Sequence, residues 1–185
     1  MREISLNVMD IAQNSISAGA NRITISVNED SKTGCMTITV SDNGCGMTAG
    51  QVANATDPFF TTRTTRKVGL GVPLFKMEAE MTGGAFEIKS EKGIGTTVTA
   101  NFMVSHVDMI PLGDINSTVL LLVTCNQDRD FIFHHSIDSR EFTLDTRELR
   151  SALGDEVALN SPDVVEWIKS YLDEQTQLIK EETFR

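Results

Sequence analysis

Cysteine is scarce in this chain: Cys35, Cys45 and Cys125 are the only three, and none is spaced as C-x-x-C. An odd set with no C-x-x-C pair argues against a disulfide framework or a zinc site and for a reducing cytoplasm. The three histidines, His106, His134 and His135, do not advertise a three-ligand metal centre. No stretch approaches the roughly 20 apolar residues that a membrane span needs. The longest candidate, STVLLLVTC, is far shorter and reads as a buried strand. The opening MREISLNVMD carries charge at once and lacks the apolar run of a secretory signal. Basic residues are in deficit, 16 against 26 acidic ones, for a net charge of −10. Residues 1–105 hold 9 basic and 10 acidic side chains, whereas residues 106–185 hold 7 and 16. Nearly all the acidity therefore lies in the second part, which would repel nucleic acid and anionic membranes.

What is present is a globular chain, 40% hydrophobic and 23% charged, long enough for one domain and a modest second module. Between Glu3 and Ala18 the residues Ile4, Leu6, Met9, Ile11, Ala12 and Ile16 recur at helical spacing, and AGAN stops the helix. RITISVN and CMTITVS alternate with period two across EDSKTG, a hairpin signal. Residues 42–71 are rich in Gly, Thr and Asn and have the length of a binding loop or lid. VPLFKMEAEMTGG reads as a helix, and AFEIKS and TTVTANF as a second hairpin. The order helix, hairpin, lid, helix, hairpin predicts helices on one face of a mainly antiparallel sheet. SHVDMIPLGDINS reads as a linker. TVLLLVTC and DFIFHHSI then flank NQDR as a third hairpin, followed by capped helices in DTRELRSALG and from Ser161 onwards. In the last helix Val164, Val165, Ile168, Leu172 and Ile179 form a core-facing stripe.

Two places carry candidate chemistry. Asp10 and Asn14 are four apart, so they share a face of the first helix, with Ser17 close by. Read as core-facing, a carboxylate and an amide are costly unless a ligand or hydrogen bonds satisfy them. Such oxygen ligands suit Mg²⁺, which commonly takes one or two protein groups plus phosphates and water; alternatively Asn14 caps a neighbouring loop. The second place is SDNGCGM, where Asp42 leads into Gly44, Cys45 and Gly46. A tight turn, a calcium loop, a reactive thiol and a nucleotide pocket are all candidate readings. The calcium reading lacks alternating acids and a terminal bidentate Glu, and Cys45 has no histidine near it in sequence.

DNGCG is followed by DPFFTT, VGLGVP and GIGTT, in that order. With these boxes the sequence resembles the GHKL (Bergerat) ATPases, which include gyrase, the heat-shock ninety-type chaperones, histidine kinases and MutL. NSISAGA and DNGCGM look most like MutL, and the stretch from DPFFTTR to TANF looks most like the ATP-binding half of a histidine kinase. The resemblance covers about residues 3–103. It implies an α+β fold, a two-layer α/β sandwich with a mixed, mainly antiparallel sheet, here followed by a small C-terminal β-hairpin and helices. The implied division is an ATPase domain over 1–104, a linker over 105–117 and an acidic extension over 118–185. The resemblance makes Asp42 the acceptor for the adenine amino group, Gly44 and Gly46 the residues that let the backbone pass the base, and Thr96 a brace for Asp42. It makes Asn14 the Mg²⁺ ligand and Asp10 the catalytic carboxylate. Gly69, Leu70 and Gly71 then offer amides to the phosphates at a helix start, and Arg63 or Lys67 of the lid contacts the β- or γ-phosphate. Phe59 and Phe60 pack under the lid.

The match has departures. MutL and gyrase carry glutamate at the position of Asp10, Lys67 replaces the usual first glycine of the lid box, and Ser17 stands where histidine kinases have a basic residue. His134 and His135 lie on one predicted strand and point to opposite faces, which suits phospho-acceptors poorly. The phospho-acceptor hairpin of histidine kinases is not expected before the first helix. The layout is closer to the small anti-sigma-factor kinases. The expected function is an ATP- or ADP- and Mg²⁺-binding regulatory protein that transfers the γ-phosphoryl group to a partner; the alternative is an ATP-gated interaction switch or slow ATPase. The chain also resembles small proteins of this layout in anaerobic bacteria that are often encoded beside iron hydrogenase or NADH-oxidoreductase genes, and that resemblance implies a partner from redox or hydrogenase systems. A second copy of the chain is a further expected partner, whereas nucleic acid and membrane are not.

Overall fold

The computed structural model of the chain describes residues 3–56, 71–154 and 157–181. RITISVN and CMTITVS form β1 (Arg22–Asp30) and β2 (Cys35–Asp42), an antiparallel pair in which Ile23 faces Asp42 and Asp30 faces Cys35. Alternation turns Ile23, Ile25, Val27, Met36, Ile38 and Val40 to one buried face. Hydroxyls and amides occupy the other face. There Thr37 donates to Asn101 at 2.8 Å, and Ser41 and Thr97 share a hydrogen bond of 2.9 Å. The second hairpin is β3 (Ala85–Glu91) with β4 (Gly95–Met103), and β4 pairs antiparallel with β2 so that Thr96 faces Asp42.

The helix α1 (Ile4–Ser17) lies on the buried face, packed against α3 (Gly71–Met81) and α4 (Ile115–Cys125). Its covered stripe is Ile4, Val8, Ile11 and Ala12, while Leu6 of the predicted stripe is 56% exposed. Glu3 provides no side-chain cap at its start. Its first amides donate instead to the carbonyls of Pro111 and Leu112, at 3.0 and 2.9 Å. The segment read as a linker is thereby docked along α1.

The strand expected at TVLLLVTC is a helix, α4. The sheet order β3-β4-β2-β1-β5-β6 gives the reason. β1 is antiparallel to β2, β2 is antiparallel to β4, and β5 (Asp130–Ile137) pairs parallel with β1. β4 and β5 therefore run the same way, and parallel strands need a crossover rather than a tight turn. Asp114 starts that crossover helix, accepting from the Ser117 amide at 2.8 Å and its hydroxyl at 2.6 Å. The third hairpin is consequently not across NQDR. It joins β5 to β6 (Arg140–Asp145), where Asp138 takes a φ of +56° and accepts from the Ser31 amide at 2.8 Å.

Among the described residues two helices follow, α5 (Thr146–Leu153) and α6 (Pro162–Glu181). Val164, Ile168, Leu172 and Ile179 of α6 are buried, and α6 packs on α4, β5 and β6. Residues 42–71 also hold a short helix that periodicity does not reveal, α2 (Ala49–Asn54), started by a capping box between Thr48 and Gln51. The sheet is mixed and mostly antiparallel, and the fold is an α+β sandwich. Among the described residues no helix is long and apolar enough to cross a membrane.

One apolar core runs through both parts of the chain. Phe75 of α3 is fully buried, 5.5 Å ring to ring from Phe102, and Ile168 of α6 is equally buried. Phe75→Ala should cost about 3–5 kcal/mol and Ile168→Ala about 2–5 kcal/mol. Because β5 is bonded to β1, both should lower a single melting transition, followed by circular dichroism. A separate transition shifted only by Ile168→Ala would contradict this shared core.

Candidate functional site

The last turns of α1, the end of β2 and the start of β4 enclose a cavity of about 430 Å³. Ile11, Val40, Ile88 and Val98 give it apolar walls, to which Val72 of α3 and Met47 add. Asn14, Ser15, Ser17, Asp42, Gln51 and Thr96 supply its polar side chains. A mainly apolar cleft with a few convergent polar side chains is the usual form of a small-molecule site.

Asp42 is hydrogen-bonded at both of its carboxylate oxygens. One carboxylate oxygen accepts from the Gly44 amide at 2.8 Å, and the other accepts from the Ser15 hydroxyl at 2.6 Å. Ser15 is only 4% exposed. Thr96, the expected brace, sits opposite Asp42 in the ladder and lines the cavity, but its hydroxyl bonds to Ser90 Oγ at 2.8 Å. The direct side-chain contact to Asp42 comes from Ser15 of α1. Sequence reasoning missed Ser15, although a signal existed: it continues the buried i, i+4, i+7, i+11 row of Ile4, Val8 and Ile11 as its one polar member.

The glycine loop is pinned at several points. Asn43 Oδ1 accepts from the Asn21 and Arg22 amides at 3.1 and 2.9 Å. The Cys45 amide donates to the Ala18 carbonyl at 2.9 Å, and the Cys45 carbonyl accepts from Gly93 at 2.8 Å. Gly46 has φ +61°, and a Cβ there would stand 1.9 Å from the Glu91 carbonyl oxygen, so only glycine fits. Gly44 and Gly46 thus hold the loop against α1 and the β3–β4 turn. Cys45 is exposed, and it lines the cavity.

Asp10 and Asn14 are both solvent-exposed, which corrects their reading as core-facing groups: α1 is rotated so that the Ser15 row is the buried one. Asn14 borders the cavity, whereas Asp10 is not among the side chains that line it. Asp10 lies against Gly71, where a Cβ would come within 2.6 Å of the Asp10 Cβ. The approach of α1 to α3 thus requires the glycine. Partial burial pushes the Asp10 carboxyl above its ordinary value. Arg63, Lys67, Gly69 and Leu70, together with Arg66, Phe59 and Phe60, lie outside the described residues.

Among the described residues no three His, Cys, Asp or Glu side chains gather as a metal cage. The donor set that is present, the Asn14 amide oxygen at the cavity edge, fits a cation that completes its shell with phosphates and water, as Mg²⁺ does. His134 bonds to Thr143 at 3.1 Å on the open face of the sheet. His135 is fully buried beside Phe133 and Phe142, with Nε2 3.1 Å from Glu29.

Residues 1–106 match the family described as histidine kinase-, DNA gyrase B-, and HSP90-like ATPase. The sensor histidine kinase ZraS of Salmonella typhimurium is 34% identical over 93 residues, which are 50% of this chain and 20% of that protein. ZraS of Escherichia coli is 30% identical over 106 residues, 57% of this chain and 23% of that one. This chain therefore spans less than a quarter of the length of either relative. A crystal structure of the N-terminal domain of a DNA repair protein superposes with a TM-score of 0.54 at 15% identity, covering 84% of this chain and 58% of its own. At that identity the likeness is one of fold.

The raised Asp10 carboxyl has a measurable consequence. An acid that holds its proton more tightly when folded contributes stability below its unfolded pKa and loses it as pH rises through the folded one. Asp10→Asn should therefore melt at the same temperature as the parent, or a higher one, at pH 7, with the advantage fading as pH falls towards the ordinary aspartate range. A lower melting temperature at pH 7 would contradict this.

Proposed function

This chain belongs to the histidine kinase-, DNA gyrase B- and HSP90-like ATPase family, and from that premise we propose that it binds ATP with Mg²⁺ and transfers the γ-phosphoryl group to a protein partner. The observation that carries the reading is the Asp42 carboxylate in the cavity, oriented by Ser15 and the Gly44 amide. An ionised carboxylate only accepts hydrogen bonds. It can take one from the amino group of adenine, whereas guanine would set a carbonyl against it and leave two acceptors facing, at about 1–3 kcal/mol. The apolar walls from Ile11, Val40, Ile88 and Val98 suit a flat purine.

From that anchor the sugar and phosphates run towards Asn14 and Gly71. Asn14 would hold the cation, which when bound would supply screening of the triphosphate charge. Asp10, one turn earlier on α1, receives the proton of the attacking side chain of the partner. The new bond forms at the γ-phosphorus, its bond to the bridging oxygen breaks, and ADP leaves. The lid contributes Arg63 or Lys67 to the developing charge, with the Gly69, Leu70 and Gly71 amides on the phosphates. The protein acts in the cytoplasm, and its acidic residues 118–185 receive the partner, which belongs to a redox or hydrogenase system.

One observation favours a second reading, an ATP-gated interaction switch. Asp10 is outside the cavity wall and one methylene shorter than glutamate, a placement that supports binding without rapid turnover. Incubation with γ-labelled ATP and cell extract separates the readings. The expected result is label on a protein in the extract, lost with Asp10→Asn while ATP binding stays within about threefold. Free phosphate alone would make the chain an ATPase. Tight binding with neither product would leave the switch and end the transfer reading.

A further inference from the structure

Asp42 is held from two sides, and the two contacts differ in kind. The Gly44 amide belongs to the backbone of the turn, so no substitution at position 44 other than proline removes it. The Ser15 hydroxyl, at 2.6 Å, is the one side-chain hydrogen bond to this carboxylate among the described residues. Ser15 sits in an otherwise apolar buried row, where an unsatisfied hydroxyl is costly. Its single proton has two acceptors within reach, the Ile11 carbonyl at 3.4 Å and the Asp42 oxygen at 2.6 Å. The nearer, charged acceptor takes it, since charge-assisted hydrogen bonds are the stronger ones.

We infer that Ser15 is a specificity-determining positioning residue: by clamping one oxygen of Asp42, it keeps the carboxylate turned so that the cavity accepts a purine bearing an amino group at its six-position and refuses one bearing a carbonyl. The inference deepens the proposed function and rests on it. The clamped oxygens keep free lone pairs, because each carboxylate oxygen can accept more than one hydrogen bond. A ligand amino group adds a bond to this arrangement, and a ligand carbonyl adds none. Without the clamp, the carboxylate turns about its side-chain torsions and the amino group loses its fixed acceptor. The same bond joins α1 to β2 one residue after Asn14, so it also sets the spacing between the base and the phosphate end of the ligand.

The test is titration calorimetry of wild type, Ser15→Ala and Ser15→Thr with three Mg²⁺ nucleotides: ATP, GTP and purine riboside triphosphate, which lacks the six-amino group. In the wild type ATP should bind tighter than the other two. In Ser15→Ala ATP should weaken about tenfold or more while the other two change less than about threefold, so the preference collapses. Ser15→Thr keeps the hydroxyl and should restore the preference, and melting curves on all three proteins establish that each is folded. A role in helix packing alone would weaken the three nucleotides together. Equal losses, or an unchanged ATP-to-GTP ratio in Ser15→Ala, would overturn the inference and leave the proposed function standing. A wild type that binds none of them would end the proposed function itself.

Discussion

The contact between Ser15 and Asp42 ties the helix that covers the central sheet to the strand end that bears the site carboxylate. It is possible because α1 serves two surfaces at once. Its buried row of Ile4, Val8 and Ile11 belongs to the core that α1 shares with β2, and the same row ends in a hydroxyl where β2 ends in an acid. The exposed side of the same turns carries Asn14 to the cavity edge and Asp10 against Gly71. A change in the rotation of α1 would move all four groups together.

A second constraint fixes the lower wall of the cavity. The stretch from Asn43 to Met47 is tied to Asn21, Arg22, Ala18, Gly93 and Ser90 through its backbone or the Asn43 side chain. Gly46 admits no Cβ because the Glu91 carbonyl is already there. The loop is therefore a built wall. The acidic second part is also built onto the first: β5 pairs with β1 along eight residues, from Arg22 with Asp130 to Glu29 with Ile137. Asp138, whose carboxyl the Ser31 amide and hydroxyl pull below its ordinary value, bonds one sheet turn to another.

How far the sequence foretold this depends on the signal. The hairpins β1–β2 and β3–β4 could be read directly, because a half-buried antiparallel strand alternates with period two. The boxes around Asp42 and Gly71 stood out as glycines beside polar groups. The run TVLLLV misled because its apolar, β-branched content fits a buried strand as well as a buried helix, and short runs do not separate the two. The deciding clue was Asp114 three residues before Ser117, a start signal for a helix. Asp10 and Asn14 read as core-facing because the stripe includes Leu6, which is exposed, whereas Met9 and Ile16 are partly buried against the core. The true row identifies Ser15 once Leu6 is set aside as exposed. α2 is too short for periodicity, although Thr48 and Gln51 carry its capping box.

Recognition of an adenine base by Asp42 is the claim on which the functional account stands. Calorimetric titration of Mg²⁺-ATP into the purified chain, beside an Asp42→Ala variant, tests it most directly. The account requires heat of binding for the parent and a loss of affinity of at least about tenfold for the variant, which removes a charge-assisted hydrogen bond. Equal affinity in the two proteins, or no binding by the parent, would contradict it.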